Sequence, residues 1–592
     1  MRDWKLRDTV MVIFMLIVVV VMFMQMVQND RLYERLNDTI RLIESGSYGT
    51  VASTRGFTGN EWIVPDAEPG GAAIIHYNAQ PPNLNPVTYK DAYAGLILGK
   101  GGAYQSLLKR DAQTLELVGE LAESWSISED KLKITFKVKP DARWSDGRPV
   151  TARDIEFGYR VMMLPAVDAQ RSQTYYVDCE SVEAKDDRTL VFTWKKEYFK
   201  SLEQSGGVTA LPRHVIDPEG QIDTDPEALA ERINEWNWQW NDGSPVTSGP
   251  YLIEAWDKVA NRVYMKRNER YWGAKSPLQR LVFRFITNDD AALQSLKAEE
   301  LDAMGLTAEQ WHTQTGEDAF LNRFEKHKYL RVTAGYNYFG WNNRRAPFDD
   351  RLVRQAMSYC IPRELIKEKI FYDLRELANG PFFINGKQAN PEISQWPYDP
   401  KKAESLLSNA GFADSDGDGV LDRAGKPFVF KMIMPSGSPA YEQILSLVQD
   451  ELAKIGVKME IDPYEWSVFV ERLDERNYDA CVLGWGGTVE GDPYQIWHST
   501  SFQNKGSNHI GYKNEEVDRL IEGARQEFDQ QKRNAMYHRV HAILFEEQPY
   551  TWLFTGPSLL TYSKRLRNVQ ATPLGLYYTE WWIPIRERRS AI

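Results

Sequence analysis

Cysteine is scarce in this chain of 592 residues, which contains only three. Cys179, Cys360 and Cys481 are far apart and odd in number, so they predict neither a disulfide framework nor a zinc site of the CxxC type. The nucleophile motif GxSxG is also absent, and the glycine-rich stretch at 99–102 is too short to cradle a phosphate. The sequence therefore gives little support for catalysis or for a required cofactor.

Positive charge is in the minority. The chain carries 71 Lys and Arg residues against 83 Asp and Glu, a formal net charge of −12. This balance argues against a nucleic-acid partner, because binding to phosphates depends on clustered cationic side chains. At about 150 residues per domain, the length predicts three or four structural units. Aromatic residues are abundant, with 19 Trp, 29 Tyr and 24 Phe, and two explanations stay open: large β-rich cores, or an aromatic-lined ligand cleft.

One long apolar run lies near the N-terminus. Residues 9–28 are uncharged and follow Arg2, Lys5 and Arg7, and the run is about long enough to cross a ~30 Å hydrocarbon layer as a helix. No small-residue cleavage site follows it, and no cysteine lies nearby for lipid attachment. We therefore expect residues 1–28 to be an uncleaved, single-pass anchor in the inner (cytoplasmic) membrane, with the rest of the chain exported to the periplasm or another extracytoplasmic space.

Residues 29–71 are predicted to link this anchor to a folded domain. Tyr33, Leu36, Ile40 and Ile43 follow a heptad spacing, which predicts a stalk helix and leaves a short coiled-coil dimer as an alternative. The stretch 45–71 is rich in Gly, Ser, Thr and Pro, a composition typical of a flexible tether.

From residue 72 onward the periodicity is that of a mixed α and β protein. Buried or alternating apolar patterns predict strands at 73–77, 131–138, 189–194 and 478–485. Amphipathic patterns predict helices at 291–299, 350–359 and 441–455. No internal repeat is visible.

Several longer motifs occur in a fixed order along the chain. They are LAESWSISED at 121–130, ITF at 134–136, ARWSDGRPVTARDIEF at 142–157, SGPY at 248–251, NERYWG at 268–273, PFDDRLVRQA at 347–356, YDPKKA at 398–403 and GW at 484–485 with DP at 492–493. Taken together over residues 72–586, this series resembles the family 5 extracellular solute-binding proteins, the oligopeptide, dipeptide and nickel receptors of ABC importers.

The resemblance implies an α/β fold of the two-lobed periplasmic-binding-protein type (type II, the large three-subdomain variety). Lobe I would comprise 72–111, 241–334 and 555–592, with an inserted subdomain at 112–240, and lobe II would comprise 335–554. Two chain crossings between the lobes would form a hinge. The WSDG corner, with Trp144, Asp146 and Thr151, would lie in the inserted subdomain and is expected to be structural.

The ligand cleft is expected at the ends of strands, where open α/β sheets bind their ligands. Segments 76–86, 336–343 and 484–493 meet this condition. The candidate ligand-binding residues in them are Asn78, Asn85, Tyr338, Trp341, Asn342, Trp485, Gly486, Gly487, Thr488, Glu490 and Asp492. Glycines allow close approach to a ligand, and Trp485 offers a flat apolar face. For Trp341, packing beneath the hinge is the open alternative.

In peptide receptors of the family, an Asp shortly after the Gly-Trp pair binds the α-ammonium of the ligand. Thr488 stands at or near that position in this chain. Glu490 is the nearest substitute, and Asp492 is a second candidate whose alternative role is structural. This difference from the family pattern weakens the prediction that the ligand is a peptide with a free amine. It does not affect the prediction that the chain binds a solute.

Two further segments carry acidic or histidine side chains of the kind that bind metals. Asp414, Asp416, Asp418 and Asp422 occupy positions 1, 3, 5 and 9 of a calcium-type loop, but position 12 is Gly425. This pattern predicts weak, structural calcium, with a solvated acidic turn as the alternative. His538 and His541 do not match HExxH, and an exposed amphipathic helix is expected there.

The sequence as a whole predicts a tethered extracytoplasmic receptor without enzymatic activity. It would close on a small solute, with oligopeptide as the first choice, and pass it to an ABC permease. Three alternatives stay open: an oligosaccharide receptor, a sensor or scaffold that kept the fold but lost transport, and, third, an enzyme.

Overall fold

The computed structural model describes residues 62–89, 91–100, 102–236, 246–503 and 505–589. The predicted anchor at 1–28 and most of the predicted stalk and tether at 29–71 lie outside these residues. Among the helices that are described, none combines the length and the apolar composition needed to cross a membrane.

The described strands are numbered in chain order. They are β1 (Ala72–Tyr77), β2 (Leu108–Arg110), β3 (Leu117–Gly119), β4 (Ala122–Ile127), β5 (Lys133–Val138), β6 (Cys179–Ala184), β7 (Thr189–Trp194), β8 (Tyr251–Asp257), β9 (Arg262–Arg267), β10 (Arg280–Phe285), β11 (Ala303–Gly305), β12 (Phe324–Tyr329), β13 (Tyr336–Trp341), β14 (Glu376–Leu377), β15 (Asp422–Arg423), β16 (Lys426–Pro427), β17 (Val429–Pro435), β18 (Lys458–Tyr464), β19 (Ala480–Trp485), β20 (Tyr550–Trp552), β21 (Phe554–Thr555) and β22 (Ser558–Ser563).

The described helices connect these strands. The α-helices are Ala92–Gly95, Ala152–Met163, Gln170–Gln173, Ser201–Gly207, Arg213–Ile216, Gln221–Thr224, Pro226–Glu235, Asp289–Lys297, Asp318–Leu321, Arg351–Tyr359, Arg363–Lys369, Pro400–Asn409, Pro439–Ala453, Trp466–Asp474, Tyr494–Trp497, Glu515–Gln526 and Gln530–Glu547. Leu96–Lys100 and Gln310–Gln314 are π-helical turns, and Thr174–Tyr176, Ser499–Phe502, Tyr578–Glu580 and Ile585–Glu587 are 3₁₀ turns.

Lobe I is built on a seven-stranded sheet with the order β12-β22-β11-β1-β10-β9-β8. Its middle strand β1 lies parallel to β10, with Ala72 opposite Arg280 and Tyr77 opposite Phe285. The apolar run of β1 is buried on both faces of the sheet, as is usual for strands in the interior of such sheets. The strand ends at Tyr77, and the chain continues directly into the segment 76–86, which is predicted to line the cleft.

The inserted subdomain contains a four-stranded sheet, β4-β5-β7-β6. The WSDG corner packs against its core, where Trp144 has no exposed surface. The backbone N–H of Thr151 donates to Asp154 Oδ2 over 2.8 Å, which is one half of the expected capping interaction at the start of Ala152–Met163. Asp146 accepts a bond from His214 at 2.7 Å. These contacts fit a structural role for the corner.

Lobe II is built on a five-stranded sheet with the order β18-β17-β19-β13-β20. Strand β13 pairs with β19 on one side and with β20 on the other, so it lies inside the sheet. Apolar clusters cover both faces. Side chains of β13 are consequently buried on both faces, except Asn337 near the start of the strand, which is half-buried.

The chain passes between the two lobes at two places. The first crossing connects β12, which ends at Tyr329, to β13, and the second connects β21 to β22. Both crossings are short, as a hinge requires. The strands of the three large sheets all come from within the segments predicted for lobe I, the inserted subdomain and lobe II.

Candidate functional site

A crevice lies between the lobes beside the two crossings. Its middle part, here called the hinge cavity, has a volume of about 410 Å³. Lobe I contributes Leu306 and Leu559, lobe II contributes Asn337 and Trp485, and the first crossing contributes Arg331. Because both lobes form the walls, a ligand held here contacts both of them at once.

Two further cavities adjoin the hinge cavity. The Asn78 cavity, of about 310 Å³, shares Asn337 and Arg375 with it, and the Thr488 chamber, of about 630 Å³, shares Tyr336 and Trp485. Such volumes are in the range of small-molecule and peptide-side-chain sites. The three spaces follow one another along the interlobe crevice, so an extended ligand fits better than a compact one.

Trp485 is the last residue of β19 and is held in one orientation. Its Nε1 donates to the hydroxyl of Tyr550 over 3.2 Å, and its ring stacks on His509 at 5.7 Å between centroids. Gly335 is required where the first crossing touches this strand, since a Cβ there would lie 1.6 Å from the carbonyl oxygen of Trp485. The close approach brings the hinge and the Trp485 segment into one wall.

Backbone donors continue beyond the end of β19. Pairing with β13 stops at Trp485, and the N–H groups of Gly486, Thr488 and Val489 form no hydrogen bond with any described residue. Polar backbone groups in a crevice that closes need a partner from water or a ligand. All three residues belong to the wall of the Thr488 chamber.

The structure brings seven of the predicted ligand-binding residues to the crevice. Asn78 lines the Asn78 cavity, and Trp485, Gly486, Gly487, Thr488, Glu490 and Asp492 line the Thr488 chamber. Asn78 Nδ2 donates to Asp289 Oδ1 over 2.7 Å, and burial raises the pKa of Asp289 to about 6.

Four other predicted residues lie in the cores instead. Tyr338 stacks on Tyr550 at 3.7 Å, and Trp341 donates to Thr551 Oγ1 over 3.1 Å with no exposed surface. Asn342 donates to the carbonyl of Tyr478, and Asn85, also fully buried, donates to that of Ile233. The physical reason for the first two is the interior position of β13, because only its first residues, Tyr336 and Asn337, reach the crevice while Tyr338 and Trp341 pack into the cores.

Glu490 and Asp492 are ion-paired within lobe II. Glu490 pairs with Arg533, and Asp492 pairs with Arg525 at 3.1 Å while its own side chain is 1% exposed. Burial would lower the pKa of Arg525, but the charges of Asp492 and Tyr198 outweigh it and raise that pKa above its ordinary value. Both carboxylates are therefore engaged by cations of the protein itself.

The inserted subdomain is joined to lobe II by a set of contacts here called the clamp. Tyr198 donates to Asp492 Oδ2 over 2.7 Å, Lys200 to the carbonyl of Glu490 over 2.9 Å, and Tyr175 to Gln495 Oε1 over 2.5 Å. The ion pair between Arg171 and Asp474, at 3.1 Å, belongs to the same set. The clamp therefore holds the inserted subdomain against lobe II beside the crevice.

Two arginines in the crevice were not anticipated from the sequence. Arg331 and Arg375 both line the hinge cavity, and neither guanidinium forms a hydrogen bond or ion pair with a described residue. Burial lowers the pKa of Arg375, and its charge lies 5.5 Å from the Phe371 ring. No sequence motif marks Arg331 or Arg375. They stand out only in the folded structure, because no described residue forms an ion pair with them.

One wall of the Thr488 chamber is held by a buried histidine. His541 Nδ1 accepts from the backbone N–H of Asn390 over 3.0 Å, and Nε2 donates to the carbonyl of Asn379 over 3.1 Å. These bonds attach the segment carrying Phe382 and Phe383 to helix Gln530–Glu547. The helix was predicted correctly, but its expected exposure at this position is wrong, since His541 has no exposed surface.

Acid is expected to loosen this wall. Burial lowers the pKa of His541 to about 4, against about 6.5 in an unfolded chain. Below pH 6.5 the unfolded state binds the extra proton, so the stability contributed by neutral His541 is full above pH 6.5. It is lost progressively between pH 6.5 and 4, by about 3 kcal/mol in all.

Denaturant unfolding at several pH values measures this loss. His541→Gln should unfold with a shallower pH dependence than the unaltered chain between pH 6.5 and 4, whereas His538→Gln, changed at the neighbouring partly exposed histidine, should keep the original slope. An unaltered slope in His541→Gln would show that the acid response arises elsewhere.

The acidic loop at 414–422 has part of the geometry of a calcium site. Asp414, Asp416 and Asp418 each present a carboxylate oxygen within 4.8 Å of the others, and all three are exposed. Asp422 is turned away, since its Oδ2 accepts from the N–H and the hydroxyl of Ser415. Calcium binding stays a prediction for the first three residues, and Asp422 has a structural partner of its own.

Calcium addition tests the prediction directly. At a Ca²⁺ concentration tenfold above Kd, we expect about 1.4 kcal/mol of stabilisation, with Kd near the millimolar range of weak extracellular sites. Asp416→Asn should abolish the shift without altering stability in chelator. An equal shift with NaCl of matched ionic strength would identify simple screening of the acidic turn.

The fold and crevice agree with comparisons to known proteins. The pattern of the family described as "Bacterial extracellular solute-binding proteins, family 5 Middle" matches residues 116–507. The chain belongs to this family. As a family 5 protein it is an extracytoplasmic solute receptor of the ABC-importer type and not an enzyme, so the expected family, α/β two-lobed fold and receptor class are confirmed.

Similarity to other proteins of the family extends along most of the chain. This family 5 chain is 30% identical over 489 residues to the oligopeptide-binding protein AppA of Bacillus subtilis (strain 168), covering 81% of this chain and 86% of AppA. The structure of AppA in complex with a nonapeptide matches with a TM-score of 0.80 and 28% identity, covering 88% of this chain and 100% of that one.

A more distant structure supports the fold alone. The dipeptide-binding protein from Pseudoalteromonas sp. SM9913, in complex with Met-Leu, matches the family 5 chain with a TM-score of 0.74 at 20% identity. It covers 87% of this chain and 100% of its own length. The two-lobed architecture is therefore shared across widely diverged sequences.

Proposed function

We propose that this family 5 receptor captures oligopeptides between its lobes and delivers them to an ABC permease. The observation that carries the proposal is the interlobe crevice at Trp485, which is elongated and lined by both lobes. The similarity to AppA, solved with a nonapeptide, supports peptide as the solute class. An extended chain of several residues matches three cavities that follow one another.

The end of β19 offers a way to bind any peptide regardless of sequence. The N–H groups of Gly486, Thr488 and Val489 lack partners among the described residues and lie in continuation of a strand. A peptide added beside a strand end gains main-chain hydrogen bonds, while pockets receive its side chains. Aromatic walls, such as Phe382, Phe383 and Trp485, then contact side chains of many kinds.

Charge recognition is assigned to Arg331 and Arg375. A desolvated guanidinium without a carboxylate partner is costly to bury, and an anionic ligand group removes that cost. The planar guanidinium suits a carboxylate, which it can bind through two hydrogen bonds. We therefore place a ligand carboxylate in the hinge cavity.

Closure follows from contacts with both lobes. A ligand in the hinge cavity bridges the lobes only when the clamp is formed, so it shifts the population toward the closed arrangement. When the crevice opens, the contacts of Tyr198, Lys200 and Tyr175 across to lobe II must break. Peptide binding and clamp formation are therefore expected to be coupled.

A thermal-unfolding screen of the soluble part, residues 62–592, tests the proposed function. Nine-residue peptides of mixed sequence should raise Tm in a concentration-dependent manner, corresponding to about 2.7 kcal/mol at 100 times Kd. Oligosaccharides of similar size should produce no shift. Stabilisation by an oligosaccharide, with none by any peptide, would contradict the proposal and favour a sugar receptor.

We also propose that residues 1–28 tether the receptor to the inner membrane. The support is the uncharged run at 9–28 behind three basic residues, a pattern typical of a signal anchor. After cell fractionation, the full chain should stay with membranes after a high-salt wash, and a chain with a cleavable signal in place of residues 1–28 should be soluble. A full chain found in the soluble fraction would contradict the tether.

A further inference from the structure

The Thr488 chamber is well supplied with charged residues, yet each of its carboxylates is already paired with a cation of the protein. Those that line it are Glu203, Glu490 and Asp492. Glu203 pairs with Arg110 at 2.6 Å and with Lys200 at 3.3 Å. The other two pair with Arg533 and Arg525, as described above.

The cations in these pairs cannot easily leave. Side-chain exposure is 5% for Arg533, 6% for Arg525 and 7% for Lys200. Arg533 also donates to the carbonyls of Glu527 and Phe528, and its charge lies 4.3 Å from the Phe199 ring. Releasing a carboxylate to a ligand would therefore leave a buried cation without its partner, which costs several kcal/mol.

The remaining wall is neutral or positive. Lys387 is exposed, and Thr488 offers only a hydroxyl. Aromatic side chains of Tyr175, Phe382 and Trp485 supply much of the rest. An ammonium group placed here would lose water without gaining an anionic partner, whereas an amide or acyl group would lose far less.

The unpartnered backbone donors point to the same kind of group. A carbonyl oxygen can accept from the N–H of Gly486, Thr488 or Val489, and an ammonium cannot, since it has no acceptor. The chamber therefore combines donors for a carbonyl, apolar contact surface and no free negative charge.

We propose that the end of the ligand held in the Thr488 chamber is uncharged, and that the receptor prefers peptides whose N-terminus is acylated or otherwise blocked. This inference rests on the proposed function, because it specifies which peptides the same crevice takes. The carboxylate of such a peptide lies toward Arg331 and Arg375, and its blocked end lies beside Thr488.

The test uses one nine-residue peptide of uncharged side chains in two forms, with a free N-terminus and with an N-acetyl group. Isothermal titration at pH 7, where the free α-amino group is mostly protonated, should show the acetylated form binding at least fivefold more tightly. Equal binding, or tighter binding of the free form, would overturn the inference.

Two variants and a control locate the effect. Thr488→Asp places an unpaired carboxylate on the chamber wall and should remove the fivefold preference, so that the free amine binds at least as tightly as the acetylated form. Thr488→Asn, of similar shape and without charge, should keep the original preference. Asp289→Asn, in the Asn78 cavity, should also keep it. If Asp289→Asn changed the ratio of the two affinities, the N-terminus would be read at the other end of the crevice and the inference would be wrong.

Failure of this inference can be told apart from failure of the proposed function. If neither form of the peptide binds, and a series of unrelated peptides also fails, oligopeptide capture itself is contradicted. If the free form binds well and the acetylated form does not, peptide capture stands and only the inference about the blocked end is overturned.

Discussion

Arg375→Met is expected to weaken peptide binding by 30-fold to 1000-fold without loss of folding. The guanidinium of Arg375 has no partner among the described residues, and burial lowers its pKa. Loss of one member of a buried charge pair costs about 2–4 kcal/mol of binding free energy, which is 30-fold to 1000-fold in Kd. Because the charge is unpaired without ligand, its removal should leave the free energy of unfolding unchanged or slightly higher.

Lys369→Met is the matched control for this measurement. Lys369 also lines the Asn78 cavity, but its side chain is 66% exposed and already pairs with Glu368 at 2.7 Å. Its loss should change Kd less than threefold, because exposed pairs contribute little. If Arg375→Met bound peptide as tightly as the unaltered receptor, the ligand carboxylate would not lie in the hinge cavity.

Asp492→Asn should destabilise the folded receptor by about 3–5 kcal/mol, the usual cost of breaking a buried ion pair. The change leaves the Arg525 guanidinium, 6% exposed, without its carboxylate. It also alters the acceptor of the Tyr198 hydroxyl, so the clamp should weaken as well. Denaturant unfolding at pH 7.5 measures the first effect, and peptide titration measures the second.

Glu516→Gln serves as the comparison on the surface. It removes the partner of Arg539 in an ion pair whose members are 44% and 55% exposed, and exposed pairs contribute about 0–1 kcal/mol. Similar destabilisation by the two substitutions would mean that the Asp492 pair is no more important than an ordinary surface contact.

Local patterns in the sequence were sufficient to predict several elements. The strand predicted at 189–194 is β7 with the same bounds, and the helix predicted at 350–359 is Arg351–Tyr359. The first follows from alternating apolar residues, and the second from an amphipathic stripe that begins at Asp350, whose side chain caps the helix. Such signals depend only on neighbours in the chain.

The candidate site could be predicted only in part, because charge pairing depends on distant residues. Glu490 looks available in the sequence, but its partner Arg533 lies 43 residues later in the chain. Arg375 is conspicuous only because no described carboxylate forms an ion pair with it. Trp341 illustrates the same limit for burial, since its position inside a five-stranded sheet follows from pairing with β19 and β20.

Aromatic residues occur both in the cores and along the crevice, the two places that the composition left open. Trp144, Trp341 and Trp552 are buried in the cores of the subdomains. Trp485, with Phe383 and Tyr336, lines the crevice. Composition alone cannot separate the core aromatic residues from those that line the crevice. The same ring can serve in either place, and only the folded structure shows whether its exposed face is covered by protein or open to a ligand.

Hydrogen exchange of the backbone amides tests the central claim most directly. With a saturating nine-residue peptide, we predict that the amides of Gly486, Thr488 and Val489, which have no protein acceptor among the described residues, become protected, together with slower opening of the clamp around Tyr198. Protection confined to other surfaces, with these three amides exchanging as fast as in the free receptor, would show that peptide is not held between the lobes at the end of β19.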